Sequence, residues 1–384
     1  MNGKAVFPGG NAQSLDNIAG QPIAEYVHAK SGTVHKLEGP VNAKNIVFKA
    51  TGDYNDGDTW ILNNTPVAVT YNGGEELLPT AVLVGDVVPA IIMGDQVRLM
   101  VQKPTPQPNI LDGWYFVDPV NQRGQKEYTG ATYTVDRWQM SINRGKLNVN
   151  DGYVTLTNTS ATGAQYFTQP FEVRFKERDI LTLAVMLRGN GQGQLFLGDS
   201  ETGANIGGGL SFTPTNDWKV YIKTVKIGNK IPKYFTLACV GENAHFDIKC
   251  AKTEYQKRFT GWPAWDYGAE LAKCQRYQYY KSGLWKFLGI GICPGFVNGK
   301  YELTTFVSLP VTMRTNPVAD FKNLYVTGGV SDYKAHKVTG IRVVQDYIGG
   351  VELALQTDDT LEAGVPYYLA IKDTNGYFYL NANL

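Results

Sequence analysis

Residues 270 to 287 read ELAKCQRYQYYKSGLWKF and gather one cysteine, four cationic side chains, three tyrosines and a tryptophan. Just upstream, TGWPAWDYG sets Trp262 and Trp265 beside Pro263 and Asp266. Side chains of these types suit a sugar. The C–H faces of a pyranose match the flat, rigid ring of Trp or Tyr, while nearby amides and cations bond its hydroxyls or phosphates. On that chemistry the candidate ligand-binding residues are Trp262, Trp265, Arg276, Gln278, Tyr280, Lys281 and Trp285. The competing reading is that these rings fill cores and the interfaces between domains or subunits.

Other chemistries find less support. The chain has no G-x-S-x-G elbow, H-E-x-x-H pair, P-loop or C-x-x-C site, so the usual signatures of nucleophilic hydrolysis, zinc sites and phosphate cradles are missing. The expectation is a protein without catalytic residues, metal or cofactor. His28, His35, His245 and His336 are scattered without metal-site spacing and read as surface or turn residues. DYNDGDTW, from Asp53 to Trp60, has its glycine one residue early for an EF-hand and lacks the distal Glu, so it reads as a turn between strands. RGNGQGQLFLGD carries glycines at 189, 191 and 193 but is followed by a strand where a phosphate site needs a helix. A glycosidase carboxylate pair leaves no mark in sequence spacing. The sequons at Asn63 and Asn158 count only in a glycosylating compartment.

The elements that must position these residues are strands. Forty-two glycines and 23 tyrosines suit turns and half-buried pleated surfaces. Before KPTPQPN, the runs NIVFKATG, TWILNN and PVAVTYNGG read as a small β domain, residues 1–104. Pro104, Pro106 and Pro108 make 105–110 an extended, semi-rigid linker. Short strands such as ILTLAVMLRG, QLFLGD and DWKVYIKTVKIG then give 111–260 the spacing of an antiparallel, jelly-roll-like sandwich. Residues 261–384 repeat the habit as a connector and second sandwich, with Asn375-Gly376 the strongest hairpin signal. One short helix is expected at Ala269 to Gln275, with Leu271 and Cys274 on one side. Beyond it Tyr277 and Tyr279 would share one face of a strand, and Arg276, Gln278 and Tyr280 the other.

Lys+Arg 36 against Asp+Glu 35 leaves no long-range field to gather phosphates, so a nucleic-acid partner is not expected. The longest apolar runs fall short of the roughly 20 residues that cross a bilayer, and the amino terminus shows no basic-then-apolar signal. Membrane insertion and signal-directed export are accordingly not expected. Four cysteines, Cys239, Cys250, Cys274 and Cys293, are too few and too dispersed for a disulfide scaffold, although Cys239 and Cys250 could face one another across a hairpin.

Two stretches then resemble a known family. NILDGWYFVDPVNQRGQKEYTGATYTVDRWQM, followed about 130 residues later by YGAELAKCQRYQYYKSG, is similar to tail-fibre and receptor-binding proteins of bacteriophages and prophages. The first signature runs from Asp118 through Gln125 to Tyr133, Asp136, Arg137 and Trp138; in the second, Gln278 interrupts the aromatic run. SLPVTMRTNPVADF resembles the LPVxMRxxP segment near the carboxyl end of such proteins, and AEYVHAKSGTVHKLEG their leading domain. The resemblance implies a homotrimeric virion protein assembled in the host bacterial cytoplasm. It further implies an amino-terminal domain that contacts other virion proteins, a carbohydrate-module-like jelly roll, and a distal sandwich meeting host surface polysaccharide or teichoic acid.

Overall fold

The computed structural model describes residues 22–201, 205–284, 286–297, 300–328 and 335–382. Strands dominate, and the all-β expectation holds. The chain forms two compact units that interleave along the sequence: Met1–Leu111 with Thr155–Ala264, and Asp112–Val154 with Trp265–Leu384. They do not follow the linear division at 104, 110 and 260. Residues 112–154 pack with the carboxyl-terminal region.

The first unit begins with a closed barrel of strands Ile23–Ser31, Val34–Glu38, Asn45–Lys49, Thr59–Leu62, Thr65–Thr70, Val87–Met93 and Gln96–Leu99. Parallel pairing of Ile23–Ser31 with Asn45–Lys49 completes the ring, which leaves no open sheet edge. Gly32, at φ +58, makes the tight turn between the first two strands. Tyr26, Leu37, Phe48, Trp60, Tyr71 and Val97 fill the interior.

The same unit carries two antiparallel sheets. In one, Tyr234–Val240 lies between Ala164–Pro170 and Gln192–Gly198, with Asn205–Phe212 beyond. In the other, Ile180–Gly189 lies between Lys219–Lys226 and His245–Glu254. The Pro-rich segment is pinned to the sandwich: Asn109 Nδ2 donates to the Ala251 carbonyl at 2.8 Å and the Thr253 amide returns to Asn109 Oδ1 at 3.0 Å. Lys252 and Glu254 form a 3.0 Å ion pair shut off from solvent, with Lys252 also donating to Gly261 O at 2.6 Å. Cys239 and Cys250 remain buried thiols, which answers the question of a bridge between them.

In the second unit, Asp266 caps the helix Tyr267–Gln275 by accepting from the Ala269 amide. The helix buries Glu270 and Cys274, one turn apart, rather than the Leu271–Cys274 side. Strand Tyr377–Asn381 lies between Gln278–Ser282 and Val318–Lys322. The sandwich expected at this end takes the form of that small sheet plus a closed six-stranded antiparallel barrel, built from Lys286–Val297, Lys300–Ser308, Leu324–Gly328, Ala335–Tyr347, Gly350–Thr357 and Pro366–Ile371. Asn375-Gly376 is not a hairpin tip. The strands on either side of it belong to the barrel and to the small sheet, and in the turn between them Asp373 accepts from the Asn375 amide and from Asn323 Nδ2.

Candidate functional site

The residues that carry the family resemblance converge on one ring in the second unit. Tyr277 follows the helix and is fully buried, and the Arg137 guanidinium lies 3.3 Å from its ring centroid. Arg314, from the LPVTMRTNP stretch, sits over the same ring at 5.7 Å, and its amide donates to the Arg276 carbonyl at 2.7 Å. Arg137 is 2% exposed with a left-handed backbone, φ +74, a conformation a non-glycine residue holds only where its surroundings enforce it. Those surroundings are visible: Asp112 stands 3.5 Å from Arg137 Nε, and Trp138 Nε1 donates to the carbonyls of Asp112 and Gly113 at 3.1 Å. Gly113 in turn donates to Glu270 Oε2 at 2.9 Å.

Beside this stack lies a buried carboxylate. Asp136 is inaccessible to solvent and accepts from the Gln122 amide at 3.2 Å, from Gln122 Nε2 at 2.5 Å and from Gln278 Nε2. Burial raises its pKa to about 6, against the opposing pull of those donors and of Arg123. The aromatic and cationic mixture around residue 277 is therefore spent largely on packing.

From Gln278 the small sheet runs outward and changes character. Its inner face, Tyr279, Phe378 and Leu380, joins the barrel core. The opposite face carries Tyr280, Tyr377 and Tyr379. The Tyr280 and Tyr377 rings are stacked at 5.8 Å and 24°, and Tyr379 meets Tyr280 at 6.0 Å and 64°. Tyr379 Oη donates to Gln278 Oε1 at 3.2 Å and Tyr377 Oη to exposed Asp320 at 3.0 Å. These half-buried rings, with a carboxylate at the rim, have the apolar planes and polar edges that sugar binding uses.

The candidates from sequence are thus distributed. Tyr280 stands on the tyrosine face. Gln278 is fully buried, with both amide atoms engaged inside the protein, so it is not a surface ligand group as expected. Lys281 is exposed on the other side of the strand, with Nζ 5.3 Å from the Tyr279 ring. Arg276 is exposed at the end of the helix. Trp265 is half-buried in a second cluster, 5.5 Å from Trp114 and 5.2 Å from Tyr115, and Nε1 donates to Asp118 at 3.4 Å. Trp262 belongs to the first unit, edge-on to Phe259 at 5.1 Å. Trp285 lies outside the described residues. Tyr377, Tyr379 and Asp320 were missed, although the alternation in Tyr377-Phe378-Tyr379 was the signal that two rings share a face.

A different polar array occupies the first barrel. His28, His35 and His336, read from sequence as surface residues, are buried. The Thr51 amide donates to His28 Nδ1 at 3.0 Å, so the His28 proton resides on Nε2 and points to His35 Nδ1 at 2.9 Å. His35 Nε2–H then donates to Asp58 Oδ2 at 3.0 Å, where Lys30 Nζ also binds at 2.5 Å. Thr51 Oγ1 lies 2.9 Å from His28 Nδ1, which sets hydroxyl, imidazole and carboxylate in the order of a nucleophile and its base. Burial, with the charges of His35 and Lys30, lowers His28 to about 4, so this imidazole is too weak a base near neutral pH for that task.

No protein-family model matches the chain, and no curated protein matches it. Among solved structures, a ligand-free carbohydrate-binding module, CBM1 of BiXyn10A, is similar over 39% of this chain and 100% of its own, at 14% identity and a TM-score of 0.28. A CBM4 module matches over 38% of this chain and 99% of its own, at 15% identity and 0.28. The tandem CBM22 modules at the amino terminus of Xyn10C from Paenibacillus barcinonensis match over 74% and 100%, at 9% identity and 0.24. At these scores the likeness decides neither ligand nor assembly.

Proposed function

We propose that this chain is a non-catalytic, homotrimeric fibre or tip protein of a bacteriophage particle that attaches to glycans of the host surface. The observation that carries the glycan part is the tyrosine face of the second unit. Stacked Tyr280 and Tyr377, the crossing ring of Tyr379 and the exposed carboxylate of Asp320 provide planes for C–H groups and an acceptor for hydroxyls. The particle assignment rests on the resemblance of the motif pair, and it gives the first barrel the role of contacting other virion proteins. Assembly into a trimer is supported by the apolar exterior of the last barrel, where Phe287, Phe306, Tyr347, Ile348 and Tyr368 stand exposed.

Binding of purified full-length protein to a glycan array and to host cells tests the reading. Replacing Tyr377 or Tyr280 by Ala should weaken binding by roughly 1 to 3 kcal/mol, as loss of an interface anchor does, with the melting temperature nearly unchanged. Unaltered adsorption of the double variant would remove the site. Light scattering should return three times the chain mass.

A second reading is a structural virion component that binds no glycan. The burial of Trp114, Trp138 and Tyr277 favours it, since the residues most typical of the resemblance are consumed in packing. Absence of glycan and cell binding, with the trimer intact, would select it.

A further inference from the structure

Strand Lys219–Lys226 pairs on one side only, with Ile180–Gly189, in unbroken register from Leu187 opposite Lys219 to Ile180 opposite Lys226. The Val220 amide points to the other side, where it donates to Asp56 Oδ2 at 2.7 Å. Main-chain direction alternates along a strand, so Ile222 and Thr224 present their N–H and C=O groups the same way. Among the described residues neither has a main-chain hydrogen bond there. Asp56 thus fills one position of an edge whose next positions are open.

A cleft of about 390 Å³ runs beside this edge, within the first unit. Asp53, Asp56 and Leu83 line it from the barrel loops, and Ile222, Lys223 and Lys257 from the sandwich. No aromatic ring is among its lining residues. It therefore lacks the stacking plane of a sugar site and offers what an extended main chain uses: ladder partners, apolar contacts and charges of both signs.

We propose that this cleft is a docking groove for an extended polypeptide segment that adds a strand to the open edge at Ile222 and Thr224. The Asp56 carboxylate stands where the added strand's first carbonyl would otherwise lie. A basic side chain of the segment meets Asp53, whose Oδ1 already holds the Val84 amide at 2.7 Å, and an acidic one meets Lys223 and Lys257. The groove is independent of the tyrosine face, so either can fail alone.

The probe is a displayed library of random heptapeptides, panned against the full-length protein. Enriched sequences should carry both charge signs and bind as synthetic peptides. Ile222→Pro removes the outward N–H and leaves the ladder to Ile180–Gly189 in place, as proline is tolerated where an edge strand faces away from its partner. Affinity for the selected peptides should fall about tenfold, the measure of a lost hydrogen bond with its packing, while glycan and cell binding stay unchanged. If that variant does not fold, Lys223→Glu with Lys257→Glu should cost a similar factor and select a more basic pool. No enrichment from the library, or equal binding to both variants, overturns the proposal.

Discussion

Two buried polar assemblies, one in each unit, solve the same problem with opposite consequences for acid. In the first barrel, burial lowers the pKa of His28 and of His35 against the pull of Asp58 on His35, and a one-way chain of donors ending on the Asp58 carboxylate satisfies their ring nitrogens. In the second unit, Asp136 is surrounded by amide donors and buried. An unfolded imidazole takes a proton near pH 6.5, whereas folded His28 resists it down to about 4. That stabilisation is complete above pH 6.5 and lost as the pH falls through 4. Asp136 runs the other way, from 3.8 unfolded to about 6 folded. Its stabilisation is complete below 3.8 and lost as the pH rises through 6. Whether acid weakens or strengthens a core thus depends on which partner of the polar network is protonated.

Removing the hub of either assembly should have the largest effect. Asp136→Ala strands the donors of Gln122 and Gln278 and should cost about 3 kcal/mol or more by chemical denaturation at neutral pH. His35→Ala opens a cavity beneath Trp60, stacked on it at 4.3 Å, and leaves His28 Nε2–H without its acceptor, for about 2 to 4 kcal/mol. Acidification of the intact protein from pH 7 to pH 4 should split the units. Hydrogen exchange should quicken in residues 22–101, while the direct environment of Asp136 is protected or unchanged; parallel loss in both would break the contrast. Asp136→Asn should cost only about 1 kcal/mol at neutral pH and flatten the second unit's pH response, a sharper test of the direction. Smallest of all, Tyr377→Ala should lower stability by less than about 1 kcal/mol, because its ring is half-exposed.

Much of this fold was legible from alternation and turns, and a short helix at Ala269 to Gln275 from the spacing of Leu271 and Cys274, although its start at Tyr267 and its Asp266 cap were not. Closure of the barrels was not. It depends on which strands pair across a distance, as Ile23–Ser31 does with Asn45–Lys49, and period-two patterning is silent on that. The histidine chain was hidden by a reversal of hydropathy: Val27 is 71% exposed while His28 beside it is 3% exposed. A reader assigning faces by hydrophobicity turns that strand over, and His28 and His35 never meet. Alternation set Tyr277 and Tyr280 on opposite faces of their strand, but the long-range partners that close in Tyr277, Arg137 and Arg314, lie too far away in sequence for that pattern to reveal them.

The interleaving of the two units also bears on heredity. The main chain passes from one unit to the other after Leu111, Val154 and Ala264, so neither is encoded by one uninterrupted stretch. A single crossover cannot exchange one unit for a relative's version and leave the other whole. Even removal of the leading barrel would abandon Arg258, whose guanidinium holds Asp86 through two 2.8 Å bonds. Changes in binding preference are expected to accumulate as point substitutions on exposed faces, such as that of Tyr280 and Tyr377, with the buried network around Tyr277 inherited as a block.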